Sequence, residues 1–387
     1  MKILLINLWP VIDSKGGTEK VFFNMANALS EKGNEVVALA CENKIGKPFF
    51  DVSDKVLFIN VGLGYEPKFT VYQNIWGKIC GNRNTRHSYR ENIVDKQKAA
   101  LIAPVVDREK PDVIISYNVG ATRLLKRHLK ISCPIVTMFH FNPEHILEGC
   151  TEDTKKALEE SDCIQVLLPS FIEKTKEYIH NTDVVYIPNC VPQYEDDCGY
   201  DRDNIIINVS RVDSLQKRQD LLIKAFCKIA KKYSSWKVEF WGDVELGDEK
   251  YYSYCNKLIF ENNLQDRIKF CGTSDDIKGK LLRAKIFAFP SSFEGFSLAL
   301  TEAMSAGLPS VGYKNAISVN ELIEDGKTGI LCDYGVDSLA SALSILIEND
   351  DKRIEMGKAA KKSMKQYAPE NIWNEWEKLI FKVVNDN

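Results

Sequence analysis

Two carboxylates stand eight positions apart in the stretch "FPSSFEGFSLALTEAMSAGLPSV", residues 289–311. Glu294 lies in a turn rich in Ser and Gly, and Glu302 lies within an apolar run that reads as a helix. A carboxylate in each place can accept hydrogen bonds from hydroxyl groups at the two ends of one ligand, for example a sugar and a ribose. The alternative is an exposed turn glutamate and an ordinary helical glutamate.

The helix between these carboxylates has clear start and stop signals. Ser297 is a good N-cap and Gly307 a good C-terminal stop. The helix follows a buried strand, so its free N-terminal amides and positive dipole end suit an anion such as a diphosphate. We expect the backbone amides of Phe296, Ser297 and Leu298 to be the donors.

Two cations are predicted to lie near the same site. In "VSRVDSLQKRQDLLIKAF", Arg211 comes just after a strand and Lys217 just before a helix. Both would project from the carboxyl edge of one sheet, where they can neutralise a diphosphate leaving group without a metal ion. The alternative is a pair of basic residues in a surface loop.

A pair of glycines follows the first strand of the chain, in "DSKGGTEK". Gly16 and Gly17 allow the backbone to approach a phosphate closely. The pattern is not GxGxxG, and no acidic residue stands at the offset typical of a dinucleotide site. The sequence therefore argues against a nicotinamide cofactor.

The elements that must position these residues alternate between short apolar runs and longer amphipathic ones. This β–α order predicts parallel sheets, and it restarts after a turn-rich acidic stretch. We predict an α/β protein of two Rossmann-like doubly wound domains facing each other across a cleft. The predicted parts are a first domain (1–190), a linker (191–203), a second domain (204–368) and a C-terminal helix (369–387).

The strand candidates are apolar, β-branched runs of five to seven residues. They are 3–9, 35–41, 56–60, 112–118, 134–140, 163–169, 184–189, 204–210, 237–243, 268–272, 286–291, 308–313 and 328–332. In the C-terminal helix, apolar residues share one face, and two of them are tryptophans. That helix either docks across the domain boundary onto the first domain or packs on the second.

Composition limits the class of protein. The net charge of −3 predicts no nucleic-acid partner. The eleven cysteines are scattered without a CxxC pair, so we interpret them as reduced thiols of a cytoplasmic protein rather than a disulfide framework or a metal site. The short apolar start reads as a buried strand rather than a signal peptide, and no stretch is long enough for a transmembrane helix.

Taken together, these motifs resemble the retaining glycosyltransferases of family 4, which have the two-domain GT-B fold. The matching elements span nearly the whole chain, and the most specific is the E-x7-E element at 291–311. The others are "GGTEKVFFNMANAL", "IPNCV", "VSRVDSLQKRQDLLIKAF" and "VNELIEDGKTGILC".

The resemblance implies a role for each motif residue. It implies that Glu294 contacts donor-sugar hydroxyls, that Glu302 contacts the nucleotide ribose, and that Arg211 and Lys217 hold the diphosphate. Two departures stand out: the Arg-to-Lys gap is six rather than five, which puts the aim of the arginine in doubt, and Arg218 replaces the usual Gly.

The segment "TMFHFNPEH" supplies one further candidate, His140, at the end of a predicted strand. The resemblance places this histidine near the anomeric centre, where its ring or backbone would hold a donor-sugar hydroxyl. The alternative is a histidine satisfied within the protein. His145 is the poorer candidate, because it lies farther into the loop.

The implied activity is retaining, metal-independent transfer of a hexose or N-acetylhexosamine, with no cofactor. The donor is a nucleotide sugar, expected to be UDP-linked, and the acceptor is glycan, lipid-linked or protein-linked. The alternatives are a GT-B-fold epimerase and a non-catalytic binding partner of the same fold. Epimerisation or donor hydrolysis without an acceptor would reveal the first, and loss of the site residues would have suggested the second.

Charge is concentrated in one segment of the first domain. Residues 68–130 contain thirteen Lys or Arg and five acidic residues, a balance of +8. The stretch "FTVYQNIWGKICGNRNTRHSYR" mixes that charge with aromatic and aliphatic residues, which is typical of a segment at an anionic bilayer. We therefore expect peripheral membrane contact at the inner face of the plasma membrane; the alternative is a solvated helix with a core-facing Trp.

Overall fold

The computed structural model describes residues 1–81, 83–195 and 202–386, which fall into two compact units. Unit 1 comprises Met1–Asn189 together with the C-terminal residues from Ile372 onward, and unit 2 comprises Cys190–Asn371. The boundary lies beside the predicted linker 191–203, of which residues 196–201 lie outside the described residues.

Among the described residues, each of the thirteen predicted strands is present. Unit 1 contains β1 (Lys2–Asn7), β2 (Glu35–Ala40), β3 (Val56–Asn60), β4 (Val113–Ser116), β5 (Ile135–Met138), β6 (Cys163–Val166) and β7 (Val184–Tyr186). Unit 2 contains β8 (Ile205–Val209), β9 (Lys237–Trp241), β10 (Ile268–Phe270), β11 (Ile286–Phe289), β12 (Ser310–Tyr313) and β13 (Gly329–Cys332).

Helices connect the strands. Unit 1 contains α1 (Gly17–Glu31), α2 (Val71–Ile79), α3 (Arg83–Glu109), α4 (Val119–Leu124), α5 (Pro143–Glu148), α6 (Glu152–Glu159) and α7 (Ser170–Lys176). Unit 2 contains α8 (Gln219–Ile229), α9 (Glu249–Glu261), α10 (Ile277–Arg283), α11 (Leu298–Ser305), α12 (Val319–Leu322), α13 (Val336–Glu348) and α14 (Asp350–Ser363), and α15 is Pro369–Asn385. No helix among 1–81, 83–195 and 202–386 combines the length and apolar character needed to cross a bilayer.

Both sheets are parallel and share one topology. The strand order is β3-β2-β1-β4-β5-β6-β7 in unit 1 and β10-β9-β8-β11-β12-β13 in unit 2. Each sheet therefore runs outward in both directions from a central pair, β1 with β4 and β8 with β11. Ligands of such folds bind beyond the carboxyl ends of the strands at this reversal, the topological switch point.

The strands form where the sequence is continuously apolar, because both faces of a parallel sheet are covered by helices. Strands β4, β5, β6, β11 and β12 are buried at every position. Several strands end two or three residues earlier than predicted. His140, predicted at the end of a strand, instead lies two residues beyond β5, because the apolar run continues into the loop that leaves the sheet.

Helix α15 begins within unit 2, and from Ile372 onward it belongs to unit 1, as the sequence allowed. Its predicted apolar face is buried throughout. Polar contacts hold the other side, because Lys32 of α1 donates to Asn374 at 2.7 Å and pairs with Glu377 at 2.6 Å. The C-terminal segment is therefore an integral part of unit 1.

The described cysteines carry free thiols and form no disulfide. Cys198 lies outside the described residues. Burial raises the pKa of the Cys163 thiol to about 12, so this strand cysteine stays protonated at neutral pH.

Candidate active site

The switch point of unit 2 brings three predicted residues together. Strands β8 and β11 are hydrogen-bonded neighbours. Arg211 and Lys217 lie in the loop between β8 and α8, and Glu294 lies in the turn between β11 and α11. Because neighbouring parallel strands end at the same edge, residues about eighty positions apart in sequence meet there.

The central contact is an ion pair between Glu294 and Lys217. The Lys217 Nζ atom lies 2.6 Å from Glu294 Oε1. The Glu294 side chain is 7% exposed and that of Lys217 is 13% exposed, so this pair is largely desolvated. A desolvated ammonium and carboxylate attract each other far more strongly than an exposed pair. The two groups are therefore held in fixed positions beside each other.

Gln216 links this pair to Arg211. Its amide nitrogen donates to Glu294 Oε2 at 3.2 Å and to the backbone carbonyl of Phe293 at 3.0 Å. Its amide oxygen accepts from Arg211 Nη2 at 2.9 Å. The sequence analysis missed Gln216, and its only sequence signal is its place directly before Lys217.

Arg211 is the most accessible of the three charged groups, at 49% exposed. Its Nε atom lies 3.3 Å from a carboxylate oxygen of Asp213 and 3.1 Å from one of Glu245. The spacing of six residues between Arg211 and Lys217 left the direction of the Arg211 side chain in doubt. In the structure, Gln216 connects Arg211 to Glu294 by one hydrogen bond to each. A half-exposed guanidinium here can reach a ligand that Lys217 also contacts.

The departure at Arg218 has a backbone explanation. Arg218 directly precedes α8 with a left-handed φ of 51°, a conformation that favours Gly. Two side-chain contacts hold the arginine in place: its Nε atom lies 3.2 Å from Asp220, and its Nη1 donates to the Tyr334 hydroxyl at 3.0 Å. These contacts offset the strain that a glycine would avoid.

Helix α11 begins with the N-cap predicted from the sequence, while anion binding there stays a prediction. The Ser297 hydroxyl accepts from the Leu300 amide at 3.4 Å, as an N-cap does. The first intrahelical bond runs from the Thr301 amide to the Ser297 carbonyl. The earlier helical amides, including that of Leu298, therefore point out of the helix end. Phe296 is buried beside them, 5.4 Å from the ring of Tyr367.

Glu302 lies inside α11 and is 7% exposed. Burial of the Tyr194 hydroxyl raises its pKa, and the nearby charge of Glu302 raises it further. The carboxylate is therefore set within unit 2 near Tyr194. Its contact with a ribose stays a prediction, as do the ligand contacts of the other site residues.

The predicted glycine pair lies at the start of α1 in unit 1. Gly16 precedes the helix, and a Cβ atom there would come within 2.1 Å of the Glu19 carboxylate. A larger residue at position 16 would therefore displace the Glu19 carboxylate, whether or not phosphate binds. Burial raises the pKa of Glu19, with Glu42 adding to the effect. The phosphate contacts of Gly16 and Gly17 stay a prediction.

His140 is buried in unit 1, with 7% of its surface exposed. Its ring stacks on Tyr117 at 5.1 Å and lies 6.3 Å from the ring of Trp9. The Nε2 atom has no hydrogen-bond partner among the described residues. A buried nitrogen without a partner is costly. The contact of His140 with a donor sugar stays a prediction. His145, the poorer candidate, is exposed on α5.

Burial lowers the pKa of His140 to about 3, so the ring is neutral at physiological pH. Its unfolded pKa is about 6.5. Between these values the unfolded state binds more protons, so stability falls as pH falls below about 6.5. Between pH 6.5 and 5 the wild type should lose up to about 2 kcal/mol of its free energy of unfolding through His140, and His140→Gln should not show this loss. Urea unfolding of both proteins at each pH measures this, and equal pH slopes would contradict it.

Sequence comparison finds glycosyltransferase relatives over almost the full chain. A protein of Haemophilus influenzae named "Uncharacterized glycosyltransferase" is 26% identical, covering 95% of this chain and 97% of its own. The Bacillus anthracis N-acetyl-alpha-D-glucosaminyl L-malate synthase is 26% identical over 89% and 93%. A Campylobacter jejuni alpha-1,4-N-acetyl-D-galactosaminyltransferase, named for an acceptor linked to PP-undecaprenol, is 21% identical over 96% and 97%.

The fold agrees with solved glycosyltransferases. A point mutant of S. aureus TarM, solved in complex with Fondaparinux, alpha-GlcNAc-glycerol and UDP, superposes with a TM-score of 0.76 at 15% identity, covering 98% of this chain and 99% of its own. The chain therefore has the predicted GT-B fold. The full-length sequence relatives together with this fold identify it as a glycosyltransferase. Residues 199–363 match the family model "Glycosyl transferases group 1". Neither an epimerase nor a non-catalytic partner is favoured.

Proposed function

We propose that this enzyme transfers a hexose or N-acetylhexosamine from a UDP-sugar with retention of anomeric configuration. The observation that carries the proposal is the 2.6 Å contact between Lys217 and Glu294 at the switch point of unit 2. A cation suits phosphate and a carboxylate suits sugar hydroxyls. A sugar linked to a phosphate would meet both groups side by side.

The chemistry rests on charge stabilisation and orientation. In the proposed step the bond from the anomeric carbon to the phosphate oxygen breaks, and its electron pair leaves with the diphosphate. The acceptor oxygen bonds to the anomeric carbon from the same face, and its proton passes to a phosphate oxygen. Lys217, Arg211 and the α11 amides stabilise the departing charge, while Glu294 and His140 orient the sugar.

No metal or cofactor is required in this proposal, because two cations and a helix N-terminus supply the positive charge near the diphosphate. The choice of UDP follows the family resemblance and the UDP named for the S. aureus structure. The acceptor class follows the relatives, one of which is named for a PP-undecaprenol-linked glycan. We propose a glycan, lipid-linked or protein-linked acceptor used at the cytoplasmic face of a membrane.

Helix α2 supplies the proposed membrane contact. Five large apolar side chains project from it, each between 43% and 77% exposed: Val71, Tyr72, Ile75, Trp76 and Ile79. They recur at helical spacing on one side, and the Tyr72 and Trp76 rings stack at 6.1 Å. Of the whole helix only Gly77 is buried. The alternative, a solvated helix with a core-facing Trp, is therefore wrong in its placement of Trp76, and the apolar side is free to enter an interface.

Donor choice is tested by thermal shift with UDP-, GDP- and ADP-sugars. We expect UDP-sugars to raise Tm most, because a ligand that binds only the folded state stabilises it. Glu302→Gln is expected to weaken UDP about tenfold, the loss of one charge-assisted hydrogen bond. Binding of inorganic pyrophosphate, which has no ribose, should not change.

Isothermal titration calorimetry measures both affinities. Glu355→Gln, an exposed residue of α14, is the matched control. Unchanged UDP affinity in Glu302→Gln would refute the ribose role. Activity that is lost in EDTA and restored by a divalent cation would refute metal independence.

A further inference from the structure

The turn that carries Glu294 is held by the loops that follow the two neighbouring strands. On the β8 side, the Ser292 amide donates to the backbone carbonyl of Gln216 at 2.8 Å. The Gln216 side chain donates to the Phe293 carbonyl at 3.0 Å. On the β12 side, the Glu294 amide donates to the Ile317 carbonyl at 3.2 Å. The turn is therefore bonded on both sides, and Gln216 makes both of the bonds described on the β8 side.

Gln216 is itself fixed by its own loop. Its backbone amide donates to a carboxylate oxygen of Asp213 at 2.8 Å, and the same oxygen accepts from the Leu215 amide at 2.7 Å. Gln216 is 9% exposed, so water competes little for these bonds. The loop between β8 and α8 thus folds around Asp213 and presents the Gln216 side chain to the turn after β11.

The hydrogen bonds of the Gln216 side chain define which end of its amide faces which neighbour. The nitrogen donates to Glu294 Oε2, and the oxygen accepts from Arg211 Nη2. The reverse orientation would set the amide oxygen against a carboxylate and the NH2 group against a guanidinium, so neither bond would form. An uncharged amide thus donates to the anion and accepts from the cation without adding charge to the site.

The contacts of the Glu294 carboxylate are divided between its two oxygens. Oε1 lies 2.6 Å from the Lys217 ammonium, and Oε2 accepts from Gln216 at 3.2 Å. A carboxylate has about four lone-pair sites, so each oxygen can accept a further bond from a ligand hydroxyl. A diphosphate would compete with Oε1 for the ammonium, but it would attract the neutral amide of Gln216 far less. With such a ligand bound, the orientation of the carboxylate would depend most on Gln216.

We propose that Gln216 is a positioning residue of the transfer reaction, which orients the Glu294 carboxylate toward the donor sugar and keeps Arg211 beside the diphosphate. The inference rests on the proposed function, because Gln216 acts through two residues of that site. A displacement of about 1 Å in a reacting geometry can reduce turnover about 100-fold. Loss of the amide should therefore lower kcat, and it should affect UDP binding less because UDP carries no sugar.

Gln216→Met tests the amide directly. This variant keeps the length of the side chain and the backbone bonds of residue 216, but it lacks the group that joins Glu294 to Arg211. We expect kcat to fall about 10–100-fold, as for the loss of hydrogen bonds to charged groups. Steady-state kinetics gives kcat and KM separately, and calorimetry should give an unchanged affinity for UDP. An unchanged kcat in a folded variant would overturn the inference.

Gln216→Glu supplies a readout that a purely structural role would not move. At about pH 8 the introduced carboxylate can accept from Arg211 but repels Glu294, so kcat should be low. A protonated carboxyl instead donates its O–H to Glu294 and accepts from Arg211 with its C=O, as the amide does. Two carboxylates this close retain one proton to a higher pH than either alone. The ratio of variant to wild-type kcat should therefore rise as the pH falls from about 8 to about 5.5.

The charged groups around this position come from three loops. Arg211, Asp213 and Lys217 follow β8, Glu245 follows β9 and pairs with the arginine at 3.1 Å, and Glu294 follows β11. The two cations move the recovery of kcat to lower pH, and the three carboxylates move it to higher pH. The direction is the same in either case, because only the protonated carboxyl can donate. A ratio that stays flat with pH would overturn the inference.

Gln219→Met is the matched control, because Gln219 is a second buried glutamine beside the same loop. Its amide donates to the Ser210 hydroxyl at 3.0 Å and to the Arg211 carbonyl at 2.8 Å. These bonds hold the loop backbone rather than a charged side chain. We expect Gln219→Met to lower Tm and to keep kcat near that of the wild type. An equal fall of kcat in both Met variants would assign the effect to loop stability and overturn the inference.

The inference and the proposed function can fail separately. Wild-type turnover in Glu294→Gln would overturn the proposed site itself. Loss of turnover in Glu294→Gln together with wild-type kcat in Gln216→Met would overturn the role of Gln216 alone. Far-UV circular dichroism establishes that each variant is folded. Where Gln216→Met does not fold, the pH dependence of Gln216→Glu decides, since that side chain has nearly the shape of the original.

Discussion

Glu294→Ala and Lys217→Ala are each expected to reduce sugar transfer by about 10²–10³-fold while the protein remains folded. In the proposed step the lysine neutralises the departing diphosphate and the carboxylate holds the sugar, so each loss should fall on the transition state. Their 2.6 Å contact adds a second consequence. Removing one partner leaves the other charge desolvated and unpaired. The measurement is kcat/KM with the donor identified by thermal shift.

Isosteric variants separate catalysis from folding. Glu294→Gln and Lys217→Met keep the volume of each side chain and remove its charge. Because the two groups act on one ligand, the double variant should lose little more activity than either single variant. Fully additive losses would mean that the two residues act independently. Wild-type turnover in either purified alanine variant would count against the assignment of the site.

The matched control is Lys224→Met. Lys224 lies on α8 and pairs with Asp220 at 2.8 Å, so this variant also breaks an ion pair of unit 2. It lies outside the proposed site, and we expect its activity to remain near that of the wild type. Far-UV circular dichroism and Tm of all variants establish that they are folded.

Sequence predicted the strands well because parallel strands covered on both faces need continuous apolar residues. The run 56–60 coincides with β3, whereas 163–169 overran β6 by three residues. Residues just past a strand can stay buried in the connecting loop, as Leu167 and Leu168 do. Apolar composition therefore marks the presence of a strand better than its end.

The positions of Arg211, Lys217 and Glu294 were predictable because they follow from topology. A residue just after a strand lies at the carboxyl edge, and the β–α order makes β8 and β11 neighbours. The role of Gln216 was not predictable, since a glutamine between two charged groups has no distinctive spacing. The contact of the Glu19 carboxylate with Gly16 depends on side-chain packing, which no motif records.

The burial of Arg123 was beyond sequence reasoning for a related reason. Arg123 appeared in the sequence only as one of thirteen basic residues between 68 and 130. The structure shows it buried in an ion-pair network, so the count of +8 overstates the charge available to a membrane. The basic residues beside α2 are the ones placed to meet a membrane.

That charge lies beside the apolar face of α2. Lys78 lies within the helix, and Lys68 precedes it. Arg86 donates to the Lys78 carbonyl at 2.9 Å, and the Arg90 guanidinium lies 5.6 Å from the Phe69 ring. Basic residues near an anionic surface each contribute about 1 kcal/mol of attraction. Apolar side chains and flanking cations together make the two signals needed for stable peripheral binding.

We therefore expect the protein to co-sediment with phosphatidylglycerol vesicles at low salt and much less with phosphatidylcholine vesicles. Replacing Ile75, Trp76 and Ile79 by Ser should reduce binding at least about 100-fold, since each side chain contributes about 1.5–3 kcal/mol on burial. Raising the salt should weaken binding of the wild type, because ions screen the basic residues. Ile45→Ser with Leu63→Ser, two exposed apolar residues elsewhere in unit 1, is the matched control.

The outcomes decide whether the apolar face of α2 binds the membrane. Loss of binding in the triple Ser variant and retention in the control would show that this face, rather than general surface hydrophobicity, meets the lipid. No binding of the wild type to anionic vesicles at low salt would remove the membrane proposal. Sugar transfer to a water-soluble acceptor should be unchanged in the triple variant, because the residues proposed to bind the diphosphate lie in unit 2 and none of them is on α2.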